Sequence, residues 1–174
     1  SAFVHLTDDD EIISKIVLIR KLYKLRVIII AEGYKYGNVL LGKIFNLNRS
    51  FDIWLIDKVF HIVGHKDWKQ YLQYPTTFCN VSKPYDKENH VARYHFLQCP
   101  IAEFAKKYNL MHVLPLFCNA DYWGISQLHG TLIRQGTCGN CDKCDYCIVG
   151  SKNPMAKKYE IVKDENGFLV SQKI

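Results

Sequence analysis

Hydrophobic positions follow two different rhythms in the first part of the chain. Ile12, Ile16, Ile19 and Tyr23 recur at helical spacing behind "TDDDE", whose acids suit the positive end of a helix dipole. The run "RVIIIAEG" is continuously apolar and is ended by glycine, which is typical of a strand buried on both faces of a parallel sheet. "FDIWLIDKVFHIV" predicts a third strand, or a strand that runs on into a second. With "AFVHL" before them and "GNVLLGKIFN" between them, residues 1–63 predict the order strand, helix, strand, helix, strand.

The middle of the chain is less regular. Residues 64–90 are polar and rich in turn residues, and they predict a long loop with one short helix, "DWKQYLQY". "VARYHFLQCPIAEFAKKYNL" predicts a helix that either spans Pro100 or begins there, because proline breaks or kinks a helix interior. "MHVLPLF" predicts a fourth strand, and "CNADYWGISQLHGTLIRQ" a loop and a helix. At the end, "YEIV" and "FLVS" alternate across "DENG", as in a β-hairpin.

This order of elements predicts an α/β fold with an open, mostly parallel, doubly wound sheet. "VIIIA" and "VLPLF" are its expected buried strands, and helices near residues 10–24 and 100–108 are expected to flank it. The predicted organisation is an α/β domain over residues 1–133, a cysteine-rich metal loop over residues 134–150 and a short β-hairpin tail over residues 151–174.

The composition is that of an ordinary globular protein, with 48% hydrophobic and 23% charged residues. No apolar run reaches the ~20 residues of a membrane helix, so no membrane partner is expected. "SAFVHLTDDDE" lacks the basic region of a signal peptide, and the seven cysteines are an odd number with four close together. We therefore expect the cytoplasm or another reducing intracellular compartment. The net charge of +6 is compatible with a nucleic-acid partner.

The strongest chemical signal is "TCGNCDKCDYC", where every third residue is a cysteine: Cys138, Cys141, Cys144 and Cys147. A C-x2-C pair directs two thiolates at one metal ion, and three cysteines at this spacing also serve a 4Fe–4S cluster. Because four consecutive ligands must curl tightly around one ion, a remote cysteine is expected to replace one or two of them, from among Cys118, Cys99 and Cys79. Zn2+ is the predicted cofactor, with a 4Fe–4S cluster as the alternative.

Three consecutive acids, Asp8–Asp10, follow the first predicted strand, at the edge where open α/β sheets bind ligands. Clustered carboxylates there could hold Mg2+ for phosphodiester cleavage, in an arrangement that looks like a NYN/PIN-type ribonuclease with catalytic Asp8, Asp9 and Asp10. The competing interpretation is that these acids only cap the helix that follows.

"TCGNCDKC" resembles the C-G-x-C-x-x-C zinc signature of the 7-cyano-7-deazaguanine synthases, a PP-loop family with a doubly wound HUP-type sheet. "HVARYHFLQCPIAEFAKKYNLMHVLPLFCNADYWG" is similar to the family segment in which a helix carrying V-x-x-R leads to a strand and an N-x-x-D or A-x-D turn. The resemblance covers about residues 90–147. It implies a nucleotide site at Arg93, Asn119 and Asp121, and a metal site at Cys138, Cys141 and Cys144 with Cys118 as the upstream ligand.

The chain departs from that family at the phosphate loop, where an S-G-G-x-D-S motif is replaced by "HLTDDDEI" without glycine. The predicted function is therefore that of a catalytically degenerate, queuosine-pathway-like protein that binds or modifies a purine or nucleotide. Two alternatives stay open: a non-enzymatic zinc-stabilised module that binds nucleic acid or protein, and the metal-dependent nuclease. The sequence leaves open whether the protein is an enzyme.

Overall fold

Residues 39–174 are described by a computed structural model. These residues form one compact unit. The predicted strands "AFVHL" and "VIIIA", the helix near residues 10–24 and the acids Asp8–Asp10 lie outside the described residues. The described residues open with a helical segment, residues 39–44.

The elements that follow form two antiparallel sheets and three α-helices within residues 50–174. In chain order they are α1 (Ser50–Gln73), β1 (Cys79–Ser82), β2 (Ala92–Gln98), α2 (Pro100–Lys107), α3 (Leu114–Gln127), β3 (Gly130–Ile133), β4 (Cys144–Gly150), a 3-10 helix (Ala156–Lys158), β5 (Tyr159–Lys163) and β6 (Leu169–Lys173). The larger sheet has the order β1-β2-β4-β3, and β5 pairs with β6.

Every strand pair is antiparallel in this part of the chain, so the predicted parallel, doubly wound PP-loop-like sheet is wrong. The error begins at "FDIWLIDKVFHIV", which is helical: Ile53, Asp57 and Gly64 are buried along one side of α1. Dense apolar sequence fits a buried strand or a helix equally well when it is judged by hydrophobicity alone. "VLPLF" is helical too, because Pro115 occupies the first turn of α3, where its missing N–H removes no hydrogen bond.

The segment predicted as one helix around Pro100 is a strand followed by a helix. Strand β2 ends at Gln98 and α2 begins at Pro100. Cys99 between them is extended, with φ −129° and ψ 111°, as the steric demand of a following proline favours.

The two faces of the four-stranded sheet have different neighbours. On the inner face, Tyr94 stacks between Phe60 of α1 and Tyr146 of β4, with ring centroids 3.8 and 4.5 Å away. This face belongs to the main core, which also buries Leu114 of α3 and Phe168 beside β6. The outer face carries a smaller apolar cluster that includes Val149 and the segment around Met155. No helix within residues 39–174 has the length and apolar character to cross a bilayer.

Candidate active site

A cavity of about 700 Å³ opens between α2, the end of β2 and residues 134–143, the cysteine loop that joins β3 to β4. We call it the cysteine pocket. Its wall combines apolar, charged and thiol side chains, including Leu97, Glu103, Phe104, Lys106, Cys138 and Cys141. A cleft with an apolar surface and a few polar groups is the usual form of a small-molecule site.

Two buried thiols, Cys138 and Cys144, face each other at this pocket. The Cys144 thiol donates to the Cys138 sulfur over 3.6 Å, and the Cys138 backbone N–H donates to the Cys144 sulfur over 3.1 Å. The bond from Cys144 lowers the pKa of Cys138 to about 7, with burial opposing it and the charge of Lys106 assisting. The pKa of Cys144 is raised, because it is the donor and is buried. Of the two thiols, Cys138 is therefore the one whose ionisation the arrangement favours.

Two further thiols lie around this pair, Cys99 at the start of α2 and Cys118 in α3. Burial raises the pKa of Cys118 to about 12, and it also raises the pKa of Cys99. Cys138 is thus the one thiol of these four whose pKa falls below its ordinary value.

The cysteine loop is shaped by its own hydrogen bonds. Asn140 Oδ1 accepts the Thr137 backbone N–H at 2.8 Å, and the Cys141 N–H donates to the Thr137 carbonyl at 2.7 Å. The Asp145 carboxylate accepts the Gly136 N–H at 2.7 Å. Gly139 lets the loop approach the core, since a Cβ there would lie 2.6 Å from Phe168 Cζ. Hydrogen bonds within the loop and close packing at Gly139 therefore hold it in place. The sequence had suggested a bound metal ion for this role.

A buried ion pair lies behind the thiols. The fully buried Arg134 donates from Nη1 to Asp121 Oδ2 at 2.9 Å and from Nη2 to the Cys118 carbonyl at 2.9 Å. The Tyr146 hydroxyl donates to the same Asp121 oxygen at 2.6 Å. The Arg134 guanidinium lies 5.0 Å from the Tyr122 ring centroid and 5.4 Å from that of Tyr146. Burial raises the pKa of Asp121, and the bonds from Tyr146 and Arg134 oppose part of that rise.

In the part of the chain that the structure describes, the cysteines of the expected metal loop do not converge on one point. Within residues 39–174, no three His, Cys, Asp or Glu side chains are grouped so that they could hold a metal ion. Cys141 is exposed, and Cys147 lies on the outer face of the sheet, where it pairs with Arg93. The regular cysteine spacing fails because Cys144 and Cys147 are in a strand, which turns them to opposite faces. Zn2+, a 4Fe–4S cluster and Mg2+ stay predictions, which elemental analysis and an absorption spectrum check.

The residues expected at a nucleotide site do not converge. Arg93 is on the outer face of β2 and pairs with Asp86 at 3.6 Å, whereas Asp121 contacts Tyr146 on the inner face. Asn119 serves the hairpin instead: its amide donates to the Gly167 carbonyl at 2.9 Å and accepts the Leu169 N–H at 2.8 Å. Asp8, Asp9 and Asp10 lie outside the described residues.

Sequence reasoning missed Arg134 and the Glu103–Lys106 pair. One signal for Arg134 was available: it continues the apolar run "GTLI", so a cation at that position needs a buried partner. Glu103 and Lys106 stand one helical turn apart in α2, 3.1 Å from each other, and only the fold brings them to Cys138.

The fold and this site define a class: a small protein of helices packed on an antiparallel sheet, with a close pair of cysteines of which Cys138 lines a pocket. The family model of L-2-amino-thiazoline-4-carboxylic acid hydrolase matches residues 54–148, more than half of the 174-residue chain. The chain belongs to this family. The matched range runs from α1 into β4 and includes both Cys138 and Cys144.

The family match overturns the resemblance to 7-cyano-7-deazaguanine synthases, and with it the predicted purine or nucleotide function. No curated protein and no solved structure matches the chain significantly.

Proposed function

We propose that this protein is a thiol-dependent hydrolase of 2-amino-thiazoline carboxylic acids or closely related cyclic isothioureas. The observation that carries the proposal is the Cys138–Cys144 pair, with 3.6 Å between the sulfurs, inside the matched range. Cys138 of this pair lines the cysteine pocket. A thiolate needs a nearby donor or cation to persist near neutral pH, and this pair supplies the donor.

The substrate suits a sulfur nucleophile. Its ring carbon C2 is bonded to one sulfur and two nitrogens, which makes it an electrophilic, amidine-like centre. The Cys138 thiolate adds to C2 while the ring nitrogen takes a proton. The tetrahedral adduct then collapses by breaking the bond between C2 and the ring sulfur, because a thiol, with a pKa of about 8.5, is a far better leaving group than an amine anion. The result is an open chain with C2 held on Cys138 as an isothiourea.

Water completes the reaction. Its oxygen adds to C2, the bond from C2 to Cys138 breaks, and C2 leaves as the carbonyl carbon of a urea. The water gives up two protons. One returns to the acid that protonated the ring nitrogen in the first step, and the other goes to the released ring sulfur. One water is consumed, no oxidation occurs, and the Cys138 thiolate is restored.

The other groups of the pocket have supporting roles in this proposal. The Cys144 thiol stabilises the thiolate through its hydrogen bond. Lys106 and Lys107 place two cations at the pocket wall, where they would balance a substrate carboxylate. The Lys106 ammonium lies 3.1 Å from Glu103, whose carboxyl group is placed to exchange protons with the ring nitrogen and the incoming water. Leu97 and Phe104 offer apolar cover for the ring.

The experiment is a direct assay of the full chain with 2-amino-thiazoline-4-carboxylic acid. Mass spectrometry should show a product heavier by one water, and a thiol reagent should detect the released thiol. We expect Cys138→Ser to lower kcat/KM by roughly a thousand-fold or more. The matched control is Cys79→Ala, which removes a buried thiol from β1, outside the pocket.

Two results would contradict the proposal. One is a folded wild-type chain that leaves the compound intact. The other is a Cys138→Ser variant that hydrolyses it as fast as the Cys79→Ala control does.

A further inference from the structure

A second cavity, of about 280 Å³, lies on the outer face of the sheet. We call it the outer pocket. Its floor is formed by side chains of β2 and β4, and its cover by the segment after β4, with lining residues that include Arg93, His95, Asp145, Cys147, Met155 and Tyr159. The proposed hydrolase chemistry uses none of these side chains, so the outer pocket is a separate feature of the molecule.

The strand register gathers its polar groups. Arg93 lies opposite Cys147, and His95 lies opposite Asp145. Directly opposed residues of antiparallel strands have Cβ atoms ~5 Å apart, so the four side chains form one patch on the same face. Such a patch is set by the backbone pairing itself and does not depend on a loop.

Arg93 supplies positive charge to this patch, and two carboxylates lie beside it. The Asp145 carboxylate is already occupied by the backbone N–H groups of Gln135 at 3.1 Å and Gly136 at 2.7 Å. Asp86 is likewise held by the Asn89 N–H at 3.0 Å, and it contacts one end of the Arg93 guanidinium at 3.6 Å. A guanidinium has five N–H donors, so Arg93 retains donors for a ligand.

Two lysines strengthen the positive field around His95. Burial lowers the pKa of His95, and the charges of Lys143 and Lys83 lower it further, while Asp145 acts in the opposite sense. These effects favour the neutral imidazole, which has one N–H to donate. Cys147 forms an uncharged part of the floor, because burial raises the pKa of its thiol.

We propose that the outer pocket binds a small oxyanion, a carboxylate or a phosphate, with Arg93 as the principal donor and His95 as the second. The volume of about 280 Å³ lies just below the ~300–1,000 Å³ of pockets for drug-sized molecules, so the ligand is small. Planar oxyanions match the fork of a guanidinium, and phosphate accepts the same donors. The proposal does not depend on the hydrolase activity.

The test is calorimetric titration of the full chain with inorganic phosphate and, separately, with malonate, at constant ionic strength set by chloride. We expect saturable one-site binding of at least one of these anions, and the stronger of the two identifies the ligand as phosphate or carboxylate. Arg93→Gln should weaken it about tenfold or more. The control is Lys66→Gln, which removes one positive charge from α1, outside both pockets.

A second measurement covers the case in which Arg93→Gln does not fold. In the wild-type protein, the bound anion should slow maleimide labelling of Cys147, as quantified by peptide mass spectrometry, with the same concentration dependence as the calorimetric signal. The proposal is overturned if neither anion binds saturably, if Lys66→Gln weakens binding as much as Arg93→Gln, or if a saturating anion leaves Cys147 labelling unchanged.

Discussion

Removing either partner of the Arg134–Asp121 ion pair should destabilise the protein by different amounts. The Arg134 side chain is 0% exposed and that of Asp121 is 33% exposed, with 2.9 Å between the nearest atoms. In Asp121→Ala, the guanidinium loses its only carboxylate contact among the described residues and has no access to water. A buried charge left without its partner costs ~3–5 kcal/mol. We expect that loss from Asp121→Ala, out of the ~5–15 kcal/mol that stabilise a typical domain.

Arg134→Met should cost less. It leaves the Asp121 carboxylate with the Tyr146 hydroxyl at 2.6 Å and with partial access to water, and methionine keeps much of the apolar stem. We expect about 1–3 kcal/mol, the usual cost of losing a hydrogen-bonded partner. The double variant should be no less stable than Asp121→Ala, because it leaves no buried charge unpaired.

Urea unfolding followed by far-UV circular dichroism measures these differences by linear extrapolation. Lys106→Met is the matched control, because it breaks the exposed pair with Glu103 and should change stability by less than ~1 kcal/mol. Equal losses for Asp121→Ala and Arg134→Met would refute the reasoning, and so would a double variant clearly less stable than Asp121→Ala.

Three further predictions concern the loop, the hairpin and the thiol. Gly139→Ala should lower the free energy of unfolding by about 1–3 kcal/mol, because the new Cβ would lie 2.6 Å from Phe168 Cζ and 2.7 Å from Leu114 Cδ2. Urea unfolding measures this loss. An unchanged free energy of unfolding would show that the loop can move away from these side chains. Asn119→Ala removes two hydrogen bonds to the β5–β6 hairpin and should speed amide exchange at Leu169 in mass-spectrometric measurements, and unchanged exchange would contradict this role. The rate of Cys138 alkylation by iodoacetamide should rise with pH through a midpoint near 7, because only the thiolate reacts. Cys144→Ala should move that midpoint to higher pH. A midpoint above 8.5 in the wild-type protein would show that the pKa of the thiol is not lowered.

The sequence located most secondary-structure elements but assigned several of them to the wrong type, helix or strand. In "FDIWLIDKVFHIV", nine of the 13 positions are apolar and they point to several sides of the helix, so hydrophobicity alone does not reveal the side on which Ile53 and Asp57 are buried. Strand β2 shows the opposite case. Tyr94 and Phe96 face inward, whereas Arg93 and His95 face outward. This alternation is visible in "RYHF", but the helical pattern after Pro100 led to the prediction of one helix for the whole segment.

The candidate site was partly accessible from the sequence. The dense cysteines directed attention to Cys138, and "NAD" directed it to Asp121, because residue type alone makes both conspicuous. Their partners could not be found in that way. The S–H of Cys144 meets Cys138 only because the loop closes into β4, and Asp121 meets Arg134 only because α3 packs beside the end of β3. Spacing suggested a metal, whereas strand geometry separates Cys144 from Cys147.

The order of strands has a consequence for synthesis on the ribosome. Strand β4 lies in the middle of the sheet, between β2 and β3, although it is the last of the four to be translated. Until it emerges, β2 has β1 on one side and an unpaired backbone edge on the other, and such an edge invites pairing with other chains. The pairing of β2 with β4 also requires closure of a long loop that contains two helices, and the entropy of that closure is lost before the new contacts stabilise the sheet. Because Cys144 begins β4, the same event that closes the sheet supplies the donor to Cys138, so a nascent chain acquires its activated thiol only when its aggregation-prone edge is covered.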